Sequence, residues 1–437
     1  MLKTLQNALK VKDIRERLFF TFLMLLVIRF GSQLPVPGTD SGYIKRLFAG
    51  GTGDAFNFLG AITGGSFENF SILALGISPY ITSSIIIQLL TIAIPKLEEL
   101  QKEGQEGRKK LQEITRYVTV VLALIQATAM SIGFGRGGLL VNYTWYNVIV
   151  CIITLTAGSA FLMWVGERIT ERGIGNGISI VLLINILSGL PDDFVAVYNT
   201  FMTGKTPAVI VVIALFVIAI LLVIVGFAVL LNDAERRIPV QYAQKVVGRR
   251  TYGNRSTHIP VKVNTASVIP VIFASSIMSM PVMIAQFFNP DYTTFGGRIL
   301  AMMNSSNWFR LNLPWYYNIG AVIYIALIII FAYFYTNITF NPLEIADNMK
   351  KSGGFIPGIR PGKPTSDYLS NMLKHVIIIG ALGLVIVAIL PTVLTGLFNV
   401  ARLSLLGTSL LIIVGVILET LKAIEAKLVA REYESIF

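Results

Sequence analysis

Few residues in this 437-residue chain are of the kinds that perform covalent or metal chemistry. There are two histidines, His258 and His375, and one cysteine, Cys151. Three such residues cannot supply the four ligands of a structural zinc site, and one cysteine cannot staple a secreted scaffold. Neither histidine lies near Cys151 in the chain, and no H-E-x-x-H occurs. A nucleophile without a base, or a metal without ligands, performs no hydrolysis. Gly133-Phe134-Gly135-Arg136-Gly137-Gly138 fits the dinucleotide pattern literally. It closes an apolar run and follows no strand, so the pattern lacks its context. Gly204-Lys205-Thr206 matches only the end of a phosphate loop, since position 199 is Asn. No ATP, metal or organic cofactor site is expected.

The elements around these residues explain why chemistry is scarce. The chain is 54% hydrophobic and 14% charged, with a mean hydropathy of +0.69. Soluble domains carry about a quarter charged residues, so the composition demands an integral membrane protein. A helix crosses the hydrocarbon with about 20 apolar residues. Ala208–Leu231 is the clearest, with Gly226 its only non-apolar residue. Nine further spans are predicted at 18–34, 72–94, 115–134, 145–165, 176–190, 265–287, 316–338, 375–395 and 402–421. The 176–190 span is short and carries Asn185 and Ser188. Backbone at membrane depth must satisfy its own hydrogen bonds, so all ten read as helices.

Charge sets the orientation. With ten spans both termini share a face, and 28 of the 36 Lys and Arg residues fall on it. Seven lie opposite and Arg29 lies inside the first span. Excess basic residues mark the cytoplasmic side, so both termini are expected there, and the net charge of +12 gathers on one face. Residues 1–17 read as a basic amphipathic surface helix. A span-embedded carboxylate is the mark of a coupled transporter. Here Glu167, Glu171 and Glu419 sit near span ends, which favours a passive, gated path over a coupled transporter or an intramembrane enzyme.

Two cytoplasmic loops, 232–264 and 338–374, are long, arginine-bearing and too polar to fold alone. They are either positive-inside loops attracted to anionic lipid or docking surfaces. Ile238, Val240 and Tyr242 alternate in the first, predicting a hairpin tipped by Gly248-Arg249-Arg250. Residues 31–71 hold nine glycines. The stretch 55–70 within them is an ordinary loop or a re-entrant segment sheltered by protein.

Several strings resemble the SecY family, the central subunits of bacterial protein-conducting channels. They are GISPYITSSIIIQLL (76–90), ERGIGNGISI (171–180), ERRIPVQYA with GRR and STHIPVKVN (235–264), IPVIFASSI (269–277), NPLEIADNMKKSGGFIPGIRPG (341–362), LLGTSLLI (405–412) and REYES (431–435). The resemblance implies an all-α membrane protein of ten helices. They would form two pseudo-symmetric inverted halves, 18–190 and 191–421, around an hourglass pore, with a cytoplasmic tail at 422–437. It implies a pore ring of Ile77, Ile81, Ile178, Leu182, Ile272 and Ile412. Leu182 stands where isoleucine is common, which preserves the aliphatic chemistry. Ile77/Ile81 and Ile178/Leu182 are i, i+4 pairs that share a helix face. The resemblance places a plug near 55–70, on Phe56, Phe58, Leu59 and Ile62. It also places a lateral gate between the second and seventh spans, lined by Thr82, Ser83, Gln88, Asn264, Ser276 and Met280, with weak polar pairs across it. Met280 stands where some relatives carry a larger aromatic. Arg249, Arg250, Arg360, Arg431 and Tyr433 would dock the SecA ATPase or the ribosome. SecE and a SecG-like subunit are the implied partners. Signal sequences and unfolded preproteins are the implied cargo, and the bacterial plasma membrane the implied location.

Overall fold

A computed structural model describes residues 9–398 and 408–434, apart from 41, 45, 47–59, 61–62, 243–244, 248–249, 253–256, 287–293 and 311. The four plug residues Phe56, Phe58, Leu59 and Ile62 lie outside the described residues. So does Arg249.

Each predicted span overlaps a helix, although residues 72–77 and 265–268 are turns and 402–407 lie outside the described residues. The helices are α1 (Lys12–Gly31), α2 (Ser78–Ala93), α4 (Gln105–Phe134), α5 (Trp145–Arg172), α6 (Gly177–Val197), α7 (Pro207–Asp233), α8 (Ile269–Gln286), α10 (Ile319–Thr339), α12 (Lys363–Phe398) and α13 (Thr408–Glu434). Three shorter helices intervene: α3 (Pro95–Lys102), α9 (Phe295–Met303) and α11 (Pro342–Lys351). Among the described residues α4, α5, α6, α7, α10 and α12 are long and apolar enough to cross a membrane by themselves. The pair α2–α3 qualifies jointly, bent by 102°. The bend follows from Pro95, which drives Ile94 into an extended conformation (φ −113°, ψ 112°) and stops the helix. Lipid exposure is plainest on α7, where Val212, Leu215, Leu222, Val223 and Leu230 are each more than 60% exposed. Water would not tolerate so large an apolar face on a monomer.

The boundaries drawn at 17/18, 190/191 and 421/422 all fall inside helices. Residues 12–17 are the first turns of α1, α6 runs through Pro191 to Val197, and α13 continues to Glu434. Hydropathy ends where the hydrocarbon ends, whereas backbone hydrogen bonding carries a helix on into the aqueous layer. The longest helix is α12: it starts twelve residues before the predicted span and totals 36 residues, about 54 Å at 1.5 Å per residue.

Two groups of helices emerge from the packing. In the first, α4 lies against α2 and α5, and α5 against α6. In the second, α10 lies against α8 and α12, and α7 against α12 and α13. The groups meet where α2 touches α8 and where α6 touches α13. Close backbone approach fixes the first group. A methyl added at Gly158 of α5 would lie 1.8 Å from the carbonyl oxygen of Ile72. The α5–α6 turn explains the string ERGIGNG. Gly175 has φ +72°. Asn176 caps α6 by accepting from the N–H groups of Ile178 and Ser179. Thr170 Oγ1 accepts from Gly177 N at 2.9 Å. A Cβ at Gly177 would stand 1.9 Å from the Gly166 carbonyl oxygen.

Gly158→Val should therefore force α5 off residue 72 and cost about 1–3 kcal/mol, the usual price of overpacking. Gly226→Ala on α7 adds a methyl where nothing lies within 4 Å. Thermal unfolding in detergent is expected to show a lowered midpoint for the first variant and none for the second. Equal midpoints would disprove the close contact.

Candidate functional site

The six aliphatics expected in the ring lie on or beside four helices. Ile77 is the residue before α2 and Ile81 lies one turn in. Ile178 and Leu182 lie on α6, Ile272 on α8 and Ile412 on α13. Ile77, Ile81, Leu182 and Ile412 belong to an apolar cluster that runs through both helix groups. Ile77 is fully buried, and Ile81, Leu182 and Ile412 are each less than 10% exposed. Ile178 and Ile272 pack on its edge, half-buried.

The seam between α2 and α8 differs from expectation. Thr82 Oγ1 donates to the Ser78 carbonyl (3.1 Å), and Gln88 Nε2 to Ser84 Oγ (3.4 Å). Both bonds stay on α2. The Ser276 carbonyl accepts from Ser279 Oγ of its own helix. Met280 is 38% exposed. Ser83 and Asn264 are committed elsewhere. Ser83 is buried and donates to the Thr115 carbonyl of α4 (2.8 Å). Asn264 is buried and donates to Asn232 Oδ1 of α7 (2.9 Å). Among the described residues no side-chain hydrogen bond crosses from α2 to α8, so the anticipated polar pairs are absent. The reason is local: a hydroxyl on a membrane helix reaches its own i−4 carbonyl at less entropic cost than a neighbouring helix.

The opposite seam is tied at its basic end. Lys427 Nζ of α13 donates to the Gly173 carbonyl (3.2 Å). Burial, and secondarily Arg17, pushes the Lys427 ammonium below its ordinary pKa. Ile424 packs there on Ile14 and Ile174. Lys422 pairs with Asp233 at 2.6 Å, holding α13 to α7.

The two basic loops form one structure. Strand β1 (Glu235–Tyr242) pairs antiparallel with β4 (Thr257–Lys262), with Ile238 opposite Ile259. Beyond it β2 (Lys245–Val247) pairs with β3 (Arg250–Tyr252), placing Arg250 opposite Val247. The other edge of β1 takes β5 (Gly354–Phe355) from the second loop, with Gln241 opposite Phe355. Ile238, Val240 and Val261 from the first loop share a core with Met349, Ile356 and Leu369 from the second. Together the two loops bury one core. Pro357 and Pro361 flank an exposed Arg360, whose carbonyl accepts from buried Thr365 Oγ1 (2.8 Å). The backbone there is fixed while the side chain is exposed. Arg431 and Tyr433 lie on the last turn of α13.

Comparison with known proteins then decides the lineage. The SecY family model matches residues 71–421. A protein translocase subunit SecY from Halalkalibacterium halodurans is 44% identical over 441 residues, 99% of each chain. One from Bacillus subtilis is 43% identical over 443 residues, again 99% of each. The chain belongs to the SecY family.

The fold agrees. A solved structure described as that of a protein conducting channel superimposes with a TM-score of 0.65 at 18% identity, over 95% of this chain and 93% of the other. Canine Sec61 in a ribosome–channel complex gives 0.61 at 16% identity, over 95% and 93%. In this SecY-family chain two features escaped the sequence. Glu167 is buried on α5 and accepts from Arg116 Nε (2.8 Å) and Gln112 Nε2 (3.0 Å) of α4. Arg29 does not reach outward: its Nη1 donates to the Gly64 carbonyl (3.2 Å). Gly64 has φ +61°, and a Cβ there would lie 2.5 Å from the Asn185 carbonyl oxygen. Asn185 and Ser188, polar residues of the weakest predicted span, thus serve as the floor under residues 63–71. The signal was their presence, but nothing in the letters named the partner.

Truncating Ile356 removes a side chain that both loops share. Ile356→Ala should cost about 2–5 kcal/mol locally and open loops 232–264 and 338–374 together. Limited proteolysis is expected to cleave both loops faster by a similar factor. Faster cleavage of the second loop alone would show that the shared core is not cooperative.

Proposed function

We propose that this chain is the channel-forming subunit of a protein translocase, a passive gated pore for unfolded polypeptides. One observation carries the reading: Ile77, Ile81, Leu182 and Ile412 are buried in a single apolar cluster that runs through both helix groups, with Ile178 and Ile272 packed against it. A hydrophobic constriction gates by dewetting and offers ions no fixed partner. It yields to any polypeptide, since it makes no specific bonds. Ile77, Ile81, Ile178, Leu182, Ile272 and Ile412 form this waist. The halves 18–190 and 191–421 lie either side of it, with the plug residues near 55–70 sealing it from outside. The α2–α8 seam, near Thr82, Gln88, Ser276 and Met280, serves as the sideways exit for apolar segments. The absence of polar ties across it, among the described residues, supports that role. Gln88 Oε1 is also buried without a hydrogen-bond partner, which lowers the cost of parting the helices.

The chain performs no reaction, so motion must be driven from outside, by the SecA ATPase or an elongating ribosome. The joint loop domain, with Arg249, Arg250 and Arg360, and the end of α13, with Arg431 and Tyr433, form the docking face. Arginine suits phosphate and carboxylate partners alike through its bidentate fork. SecE and a SecG-like subunit complete the assembly in the bacterial plasma membrane. Both termini then face the cytoplasm, as the basic-residue bias supports.

Ile81→Asn puts a hydrogen-bonding group in the waist. Reconstituted channels should leak ions, and export of a preprotein with a weakened signal sequence should rise. Unchanged conductance together with unchanged signal stringency would remove Ile81 from the ring. Arg360→Glu tests the docking face separately. Reversing a docking charge costs several kcal/mol of complementarity, so SecA-driven export should fall by more than ~10-fold. Membrane insertion of the variant itself should be normal. Full SecA-driven export by this variant would discard the assignment.

A further inference from the structure

A cavity of about 640 Å³ opens between α10 and α12, under the start of α11. Tyr333 and Asn337, one turn apart on α10, form one wall. Asn371, Lys374 and His375 of α12 form the other, with Ile378 at its foot. No carboxylate lines it. Among the described residues Lys374 has no acidic partner. Tyr333 OH donates to the Lys374 carbonyl (3.3 Å), which clamps the two walls together. His375 Nδ1 lies 2.8 Å from the Asn371 carbonyl oxygen, which sets the ring's orientation.

The cavity stands at a change of environment. Ile378, Ile379 and Leu382 are exposed apolar residues, one to two turns further along α12. Lys374 and His375, immediately before them, are exposed polar residues. The basic loops lie at this end of the bundle. The site therefore offers the Lys374 ammonium and the carboxamides of Asn337 and Asn371 above an apolar foot. These donors suit an anion rather than a cation, and at the edge of the bilayer, above exposed Ile378, Ile379 and Leu382, the anion at hand is a phosphate headgroup. We propose that this cavity binds a phosphate group, supplied by an anionic lipid headgroup whose acyl chains run past Ile378. The anionic leaflet itself attracts basic segments only diffusely. A cavity with fixed walls would instead hold one lipid.

Native mass spectrometry of the purified full chain, with its copurified partners, reads this directly. Extraction from membranes doped with phosphatidylglycerol should leave one lipid bound that phosphatidylcholine does not replace. Lys374→Gln is expected to lower its retention at least ~5-fold, the scale of one lost charge-assisted contact. Lys351→Gln, a basic residue of α11 outside the cavity, should leave retention unchanged. Asn337→Leu removes a carboxamide donor from the wall without altering charge and should also lower retention, which covers the case in which Lys374→Gln fails to fold. Millimolar inorganic phosphate or glycerol phosphate is added in a parallel arm. Displacement of the lipid by either, lost in Lys374→Gln, would show that free phosphate reaches the same site. No displacement, with lipid retention still dependent on Lys374, would identify the headgroup as the sole source. Retention unaffected by both Lys374→Gln and Asn337→Leu would overturn the proposal.

Discussion

Lipid does not push helices together as water does, because a neighbouring helix is no more apolar than an acyl chain. Everything in this fold depends on what replaces that force. Most side-chain hydroxyls in the bundle do not supply it. Thr119, Thr154, Thr156, Thr336 and Thr420 each donate to the carbonyl four residues earlier on the same helix. Cohesion comes instead from backbone contact at glycine. Gly158 and Gly177 do this in the first group of helices. In the second, a methyl at Gly320 would lie 1.8 Å from the Met302 carbonyl oxygen, and one at Gly380 would lie 2.2 Å from that of Val263.

The few polar ties between helices follow the same division. Ser83 to Thr115, Ser159 to Gly76 and Arg116 to Glu167 stay within the first group. Ser275 to Tyr324, Asn264 to Asn232 and Lys422 to Asp233 stay within the second. Lys427 to Gly173 joins the two groups, on the seam away from α2 and α8. Each half is thus internally braced, one seam is pinned at its end, and the other is held by apolar contact. A two-body hinge needs this distribution: stiff bodies, a fixed axis and an edge without specific bonds.

Much of this was legible in the letters, for identifiable reasons. The spans were readable because hydrocarbon thickness imposes a length on apolar runs. Helix ends were not, because α1, α6, α12 and α13 continue into water, where hydropathy carries no signal. The family strings picked out six aliphatics, but the burial of Ile77 and Leu182 could not have been computed from spacing alone. Ser83 and Asn264 show the opposite limit. Their strings put them beside the gate, yet the rotation of α2 turns Ser83 to Thr115, and the turn before α8 sends Asn264 to Asn232. The loops failed in a third way. Each was judged by its own composition, and a core divided between Ile238 and Ile356 is invisible when the halves are weighed separately.

That divided core has a consequence during synthesis. Strand β1 emerges from the ribosome with its β4 partner close behind, so one edge closes quickly. Its other edge must wait for Gly354 and Phe355, more than a hundred residues and two membrane helices later. At about 5–20 residues per second that interval lasts several seconds. An open strand edge is a template for the wrong partner. Pro239 and the charged side chains of Glu235, Arg236 and Arg237 along β1 guard it meanwhile, so the strand carries its own protection for the period in which the molecule is only half made.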